Sequence, residues 1–421
     1  MFSPSSSRSL TIAFLRRGYS SSGGVEVYFK GLASGLHREG HRVILIGTAE
    51  WPSEEWPGGE ILRCSGKSLK SYITEVERHK EGCGIPFDII LSVEKMPGCD
   101  LYRTDEGVHL AWLTERQKYI TLWARCFQWI NPKHREKLAL EKKLFSADST
   151  RRVISLSEKI TRDIITLYGY PPKQIRMIRN GVAQLGVPTL DQRNQARHDL
   201  GITPEEKVVL FVGTGWERKG LRFAIRAVER LAEESRHRGV GGGEKKWVLL
   251  VAGKGQKKHY GSPIIRFLGP LKGMESIYEA ADILIAPTIF DPFPLSILEA
   301  LSAGLPVIIS AAAGVSEIMT GGLHGEVIKE PSDITALTEA LRKWSRITDD
   351  PELSASTRSA CLALASTFTR ERNLCETLAL IHEVIAEKEK STSDTTFHHE
   401  LDSLTGSFGA RLRCHHSGYQ R

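Results

Sequence analysis

Asp291 and Glu299 stand eight positions apart in the run Asp291-Pro-Phe-Pro-Leu-Ser-Ile-Leu-Glu299. The two acids bound a loop and the start of a helix, after an apolar run at 283–286 that reads as a strand. Pro292 and Pro294 hold the helix off and suit its first turn. Backbone N–H groups of Phe293 and Leu295, on either side of Pro294, which has none, then face outward, able to hold an anion or a sugar hydroxyl. Vicinal hydroxyls of a hexose or ribose can both donate to one carboxylate. Asp291 would sit at the mouth of a cleft and Glu299 about a turn deeper, each able to accept from such a pair. Taken singly, each acid could merely complement the positive end of the helix dipole; the whole string is more specific.

A second constellation, Gly213-Thr-Gly-Trp-Glu-Arg218-Lys219-Gly220, directly follows a buried apolar run. Two adjacent cations near a helix N-terminus can stabilise charge on a departing diphosphate without a metal. Arg218 offers a planar fork to two oxygens, and Lys219 a compact charge. An isolated Arg-Lys pair is more often simply solvated; the strand and two glycines before it, with the resemblance given below, favour the binding role. Gly23 and Gly24 follow the first strand and leave room for a phosphate or sugar. Gly269-Pro-Leu271 ends another strand. Both are weak signals alone. In Lys95-Met-Pro-Gly-Cys-Asp100-Leu-Tyr-Arg103-Thr-Asp105-Glu106-Gly-Val-His109, two acids approach a histidine. His109 could bond a hydroxyl and Glu106 could orient one, with Asp105 competing for that role. A surface acid and a satisfied histidine explain the same pattern. The sequence has no DxD motif in a suitable loop and no His/Asp/Glu set with metal-ligand spacing. Metal-independent chemistry with no cofactor is the expectation.

The 291–299 string resembles the E-x7-E motif of family 4 retaining glycosyltransferases, with Asp291 in place of the first Glu. The resemblance extends from roughly residue 10 to 385. It implies the GT-B fold, two Rossmann-like, doubly wound α/β domains facing a central cleft. It assigns Asp291 to the transferred sugar, Glu299 to the ribose, and Arg218 and Lys219 to the diphosphate. Gly23, Gly24 and Gly213 fall in its cleft loops, and Gly269 and Leu271 run beside the nucleobase. The stretch from Lys95 to Trp112 is similar to that of lipopolysaccharide core glucosyltransferase I enzymes, where K-M-P-G-x-D-x-Y precedes an acid-Gly-x-His element. Glu106 stands where that family has Asp. Asp291, Arg218, Lys219, Glu106 and His109 are thus the expected catalytic group. The implied reaction is retaining transfer of a hexose, glucose from UDP-glucose, to a lipid-linked glycan such as lipopolysaccharide core. One rival is another family 4 enzyme, such as a GDP-mannose-dependent mannosyltransferase. A rival of another class is a non-catalytic shell of the same fold that binds membrane or nucleic acid.

These residues need elements to present them. A strand at 11–15 is followed by a glycine loop and a helix from about 25 to 38, with Val25, Tyr28, Phe29, Leu32 and Leu36 at helical spacing. Apolar runs at 43–46, 87–91 and 153–156 read as buried parallel strands. The pattern restarts at 208–212 and continues with strands at 247–252, 264–268, 283–286 and 307–309. Helices are expected at 219–234, 275–281 and 295–302. Such alternation argues for βαβ units in two successive domains, whose ligands bind at the carboxyl ends of the strands. The expected division is an extension at 1–9, an acceptor domain at 10–185 and a donor domain at 186–365. A helix at 366–389 then returns to the first domain, and 390–421 forms a disordered tail.

At 421 residues the chain exceeds one ordinary core. No apolar run approaches the roughly 18 residues that span a bilayer. Seven scattered cysteines without a CxxC pair argue against a disulfide framework or a zinc site and favour a reducing cytosol. A net charge of +7 suits phosphorylated substrates, anionic lipid or nucleic acid. Its distribution narrows the choice. Eight Lys or Arg between 116 and 143, among them Arg116, Lys118 and Arg125, interleave with Trp123, Phe127 and Trp129. That composition suits a membrane interface. It could also stack on single-stranded nucleic acid, or pack as core through positions 119, 123 and 127, which share a helical face. An amphiphilic acceptor favours the membrane. The expected partners are a nucleotide-sugar, a lipid-linked glycan acceptor and an anionic membrane surface, with no nucleic acid. The expected location is cytoplasmic, peripheral on the inner face of the cytoplasmic membrane.

Overall fold

The computed structural model describes residues 8–390 except 21–22, 67, 83, 147, 238–245 and 272. Nearly all of the expected N-terminal extension and of the 390–421 tail therefore lies outside the described residues. The chain divides into two compact units, Met1–Glu376 and Thr377–Arg421. The described part of the second, 377–390, is helical.

The first unit holds two wholly parallel sheets. Seven strands make the first: β1 (Thr11–Leu15), β2 (Arg42–Thr48), β3 (Ile61–Cys64), β4 (Ile89–Ser92), β5 (Leu101–Arg103), β6 (Arg152–Ser155) and β7 (Ile175–Met177). Their order is β3-β2-β1-β4-β5-β6-β7, with Ile12 opposite Val43 on one side and Ile89 on the other. Ile12 through Leu15 are fully buried, as befits a strand covered on both faces. The helix Gly24–Arg38 buries Tyr28, Phe29, Leu32 and Leu36 along one stripe.

The second sheet has six strands: β8 (Glu206–Val212), β9 (Lys246–Ala252), β10 (Ile265–Gly269), β11 (Ile283–Ala286), β12 (Val307–Ser310) and β13 (Gly325–Ile328), in the order β10-β9-β8-β11-β12-β13. Alternate residues of β8 feed two cores. Val208 and Leu210 join Leu298 and Leu301, while Val209 and Phe211 join Ala224, Val228 and Trp344. Strand order reverses between β1 and β4 and again between β8 and β11. Loops leaving such a switch point diverge and open a crevice.

The expected helix at 219–234 starts later, at Leu221. Gly220 explains the delay: its φ is +75°, and a Cβ there would lie 1.9 Å from the Pro287 carbonyl oxygen, so it forms a tight turn, not a helix. Two contacts tie the halves together where the chain crosses over. Asn180 Nδ2 donates to the Phe293 carbonyl at 2.6 Å, and Val182 bridges Thr369. Beyond that bridge a helix begins at 370; Tyr28 Oη donates to Asn373 Oδ1 at 2.9 Å. No helix among the described residues is long and apolar enough to cross a membrane.

Candidate active site

The loop after β8 owes its shape to Gly213. Its φ is +140°, and a Cβ there would meet Lys219 Cδ at 2.4 Å, so the missing side chain lets Lys219 fold back over the strand end. The loop after β11 is clamped to it, since Ile289 N and Thr288 Oγ1 both donate to the Arg218 carbonyl, at 2.8 and 3.0 Å. These contacts bring together three charges from either side of the switch point. Arg218 Nη1 and Lys219 Nζ each lie 3.1 Å from Asp291 Oδ2, and Arg218 also donates to the Phe290 carbonyl. The Asp291 side chain is 8% exposed. Burial pushes its carboxyl up, but Lys219 and Arg218 together hold it below the ordinary range.

Glu299 sits on the helix Leu295–Ser302, with Pro294 as its N-cap. Tyr278 Oη donates to Glu299 Oε2 at 2.8 Å and orients it. Burial raises this carboxyl, opposed by the Tyr278 bond and by Arg370. All four groups face one cavity of about 410 Å³. Gly24, Gly213, Leu271, Phe293, Pro294 and Leu295 also line it, as the sequence predicts. Gly23 caps the helix Gly24–Arg38, and Gly269 accepts from Gly253 N at 2.8 Å; both stand next to lining residues, not among them.

The first sheet delivers a different acid from the one expected. After β5 the chain turns through Gly107, φ +68°, packed against Phe290 and Pro292. The turn sends neighbouring carboxylates to different places. Asp105 lines the large cavity. Glu106 lines a second one, about 140 Å³, with Arg16, Arg17, Glu94, Lys95 and Lys137, at the switch point of the first sheet. Lys137 pairs with it at 3.1 Å. Burial would raise the Glu106 carboxyl; Lys137 and Lys95 bring it down to about 2. His109 is not among the residues lining the large cavity. It is buried, its Nε2 lies 3.1 Å from His134 Nδ1, and its backbone N–H donates to Glu141. Burial, then Lys137 and Lys95, push it down to about 4, so it is neutral near pH 7.

The basic aromatic segment divides in two. Tyr119 packs on Phe223, with centroids 5.8 Å apart. The next helix, Leu122–Ile130, instead exposes Leu122, Trp123, Phe127, Trp129 and Ile130. Trp123 is 73% exposed, so the packed-core reading of positions 123 and 127 does not hold. Arg116 does not face outward as expected: its Nε binds Glu217 at 3.0 Å, directly before Arg218. Lys118 pairs with Glu115 at 2.8 Å, and Arg125 has a buried Nε with no hydrogen-bond partner among the described residues.

Sequence reasoning missed Arg370 and Tyr278, which line the cavity beside Glu299. Neither has a local signature. Arg370 is a lone cation far along the chain, and Tyr278 looks like an ordinary core aromatic.

Residues 206–346 match the family model described as "Glycosyl transferases group 1". An uncharacterised glycosyltransferase of Methanocaldococcus jannaschii is 26% identical over 355 residues, covering 76% of this chain and 86% of that protein. The lipopolysaccharide glucosyltransferase WaaG of Escherichia coli K12 is 25% identical over 352 residues, covering 79% and 89%. Among solved structures, that of WaaG, described as a glycosyltransferase involved in lipopolysaccharide biosynthesis, superposes with a TM-score of 0.74 at 22% identity, covering 88% of this chain and 99% of that one. HepE of Anabaena in complex with UDP-glucose gives 0.64 at 17%, covering 91% and 100%. At these identities the two structures establish the GT-B fold.

Proposed function

We propose that this chain, a glycosyltransferase of GT-B fold with a group 1 domain at residues 206–346, transfers a hexose with retention, glucose from UDP-glucose, to a lipid-linked glycan such as lipopolysaccharide core. One observation carries the reading: Arg218, Lys219, Asp291 and Glu299 meet around a single cavity of about 410 Å³ at the switch point between β8 and β11. Two cations suit a diphosphate, the deep carboxylate suits a ribose diol, and the acid between the cations suits the sugar they release. The glucosyltransferase name of the E. coli relative and the UDP-glucose bound to HepE support the choice of donor.

In this reading the anomeric C–O bond breaks and its electrons pass to the departing diphosphate, whose charge Arg218 and Lys219 stabilise. The acceptor hydroxyl attacks the oxocarbenium-like carbon from the face the diphosphate leaves. Its proton passes to a departing phosphate oxygen. The protein supplies position and charge, and the two cations act where other transferases employ a metal. The exposed helix Leu122–Ile130 would set the cleft against an anionic bilayer on the cytoplasmic side, with Trp123, Phe127 and Trp129 at the headgroup boundary.

A thermal-shift panel of UDP, GDP, ADP and their glucose or mannose forms tests the donor. UDP and UDP-glucose should raise Tm by mass action above their Kd. Stabilisation by GDP and GDP-mannose alone would transfer the reading to a mannosyltransferase, and stabilisation by none would leave only the shell.

A further inference from the structure

The wall of the large cavity supplied by the first sheet and its connections holds one charged side chain among the described residues. Gly24, Val25, Val27, Asp105, Leu156 and Asn180 line that side. The Asn180 amide is committed at both ends, its oxygen accepting from Arg103 and its nitrogen donating to the Phe293 carbonyl. Asp105 is not fully committed. Its Oδ1 accepts from Arg103 Nη1, while Oδ2 is buried and has no hydrogen-bond partner among the described residues. The side chain is 7% exposed. A buried carboxylate oxygen without a donor is costly and rare in a folded protein.

The surroundings hold the carboxylate in place. Arg103 is wholly buried, its guanidinium carbon 3.5 Å from the centroid of the Tyr28 ring and its fork shared between Asp105 and Asn180. Tyr28 is held in turn by Asn373. One oxygen of Asp105 is thus pinned to a rigid stack, while the other, buried at the wall of the cavity that Asp105 lines, has no donor among the described residues. A bare carboxylate repels a diphosphate, and both cations for that group stand on the opposite wall. What the oxygen can receive is a hydroxyl.

We infer that Asp105 is the acceptor-positioning residue of this cleft, its free Oδ2 accepting a hydrogen bond from an acceptor-sugar hydroxyl next to the attacking one. The attacking hydroxyl keeps its own proton for the departing phosphate oxygen. This assignment rests on the glycosyl-transfer reading above and gives to Asp105 the orienting role expected of Glu106.

The test follows UDP release from UDP-glucose, with and without a lipopolysaccharide core glycan lacking its outer hexoses. In Asp105→Asn an amide N–H replaces the free acceptor oxygen while an oxygen remains for Arg103. The KM for the glycan should rise by about 10- to 100-fold, the loss expected for a hydrogen bond to a charged group, while the KM for UDP-glucose moves less than about three-fold. Asp105→Glu keeps the charge beside Arg103 but displaces the carboxylate by a methylene. It should show the same selective rise, and it decides the matter if the Asn variant does not fold. An unchanged glycan KM in a folded variant overturns the assignment. So does a rise confined to the donor KM, or a uniform fall in kcat and both KM effects with lost Tm, the mark of a purely structural acid. Failure of the glycan to stimulate the wild type overturns the function proposed above, and the assignment with it.

Discussion

Replacing Lys219 with Ala bears on the charge argument directly. Asp291 Oδ2 has a cation 3.1 Å away on each side, so the trio presents one surplus positive charge to an arriving diphosphate. Lys219→Ala leaves a neutral Arg218–Asp291 pair. At 3.1 Å and an effective dielectric of about 20, one such pair of charges interacts by roughly 5 kcal/mol before relaxation. Removing a preorganised donor to developing charge typically costs about 10²–10³ in rate, or ~3–4 kcal/mol. The expected result is a kcat for UDP release reduced by that factor, with unchanged circular dichroism because Lys219 belongs to a loop. The variant also has a pH signature. Burial raises the Asp291 carboxyl, and Lys219 is the first of the charges lowering it. Its loss should move the acid limb of the rate profile to higher pH. Because the folded carboxyl titrates below its unfolded value, its contribution to stability is present above the unfolded pKa. It fades as pH falls through the folded one, so the variant's acid unfolding should begin at higher pH. A folded Lys219→Ala within about three-fold of wild-type turnover, with an unmoved acid limb, would refute the argument.

Glu299→Ala should abolish the thermal shift given by UDP at concentrations that saturate the wild type, while the ligand-free Tm falls little; a retained shift would move the ribose elsewhere. His109, depressed to about 4, should remain neutral in an NMR titration down to about pH 5. Stability should decline as pH falls from about 6.5 toward 4, where the unfolded chain binds the extra proton, and His109→Asn should flatten that decline. Trp123→Ser with Phe127→Ser should reduce co-sedimentation with anionic liposomes, whereas Arg116→Ser should disturb the Arg218 loop and donor affinity instead; equal, salt-insensitive recovery on neutral vesicles would remove the membrane reading. EDTA should leave turnover within about two-fold, and loss restored specifically by Mg²⁺ or Mn²⁺ would end the metal-free mechanism.

Strands β1 and β11 and the helix Leu295–Ser302 are legible to the residue: the strands because each is a short apolar run ended by Arg16 or Pro287, the helix because Pro294 marks its start and Gly304 follows its end. Strands β3, β5, β7 and β13 are no longer than β11 but each includes a charge, Arg63, Arg103, Arg176 or Glu326, so no apolar run marks them and only their neighbours in the sheet make them strands. The donor side of the site is readable for a related reason. Arg218, Lys219, Asp291 and Glu299 belong to two contiguous loop-and-helix segments whose glycines and prolines announce the turn. The other wall is not. Whether Asp105 or Glu106 enters the cavity depends on how the backbone turns at Gly107 against Phe290 and Pro292, nearly two hundred positions away. Arg116 reads as a surface cation until folding brings it to Glu217, 101 positions along the chain.

The placement of Asp291 between Arg218 and Lys219 also bears on what the unliganded cleft refuses. A carboxylate fixed 3.1 Å from both cations acts as a tethered competitor, present at a local concentration that a dissolved anion cannot match. Inorganic phosphate, chloride or a stray polyanion must displace it or meet only the one surplus charge. On the proposed function, a nucleotide-diphosphate sugar would bring two phosphoryl groups, a ribose for Glu299 and a sugar whose hydroxyls give the evicted carboxylate a new partner. On that reading the cleft would filter anions by how many exchanges they complete at once, before any part of it recognises a base.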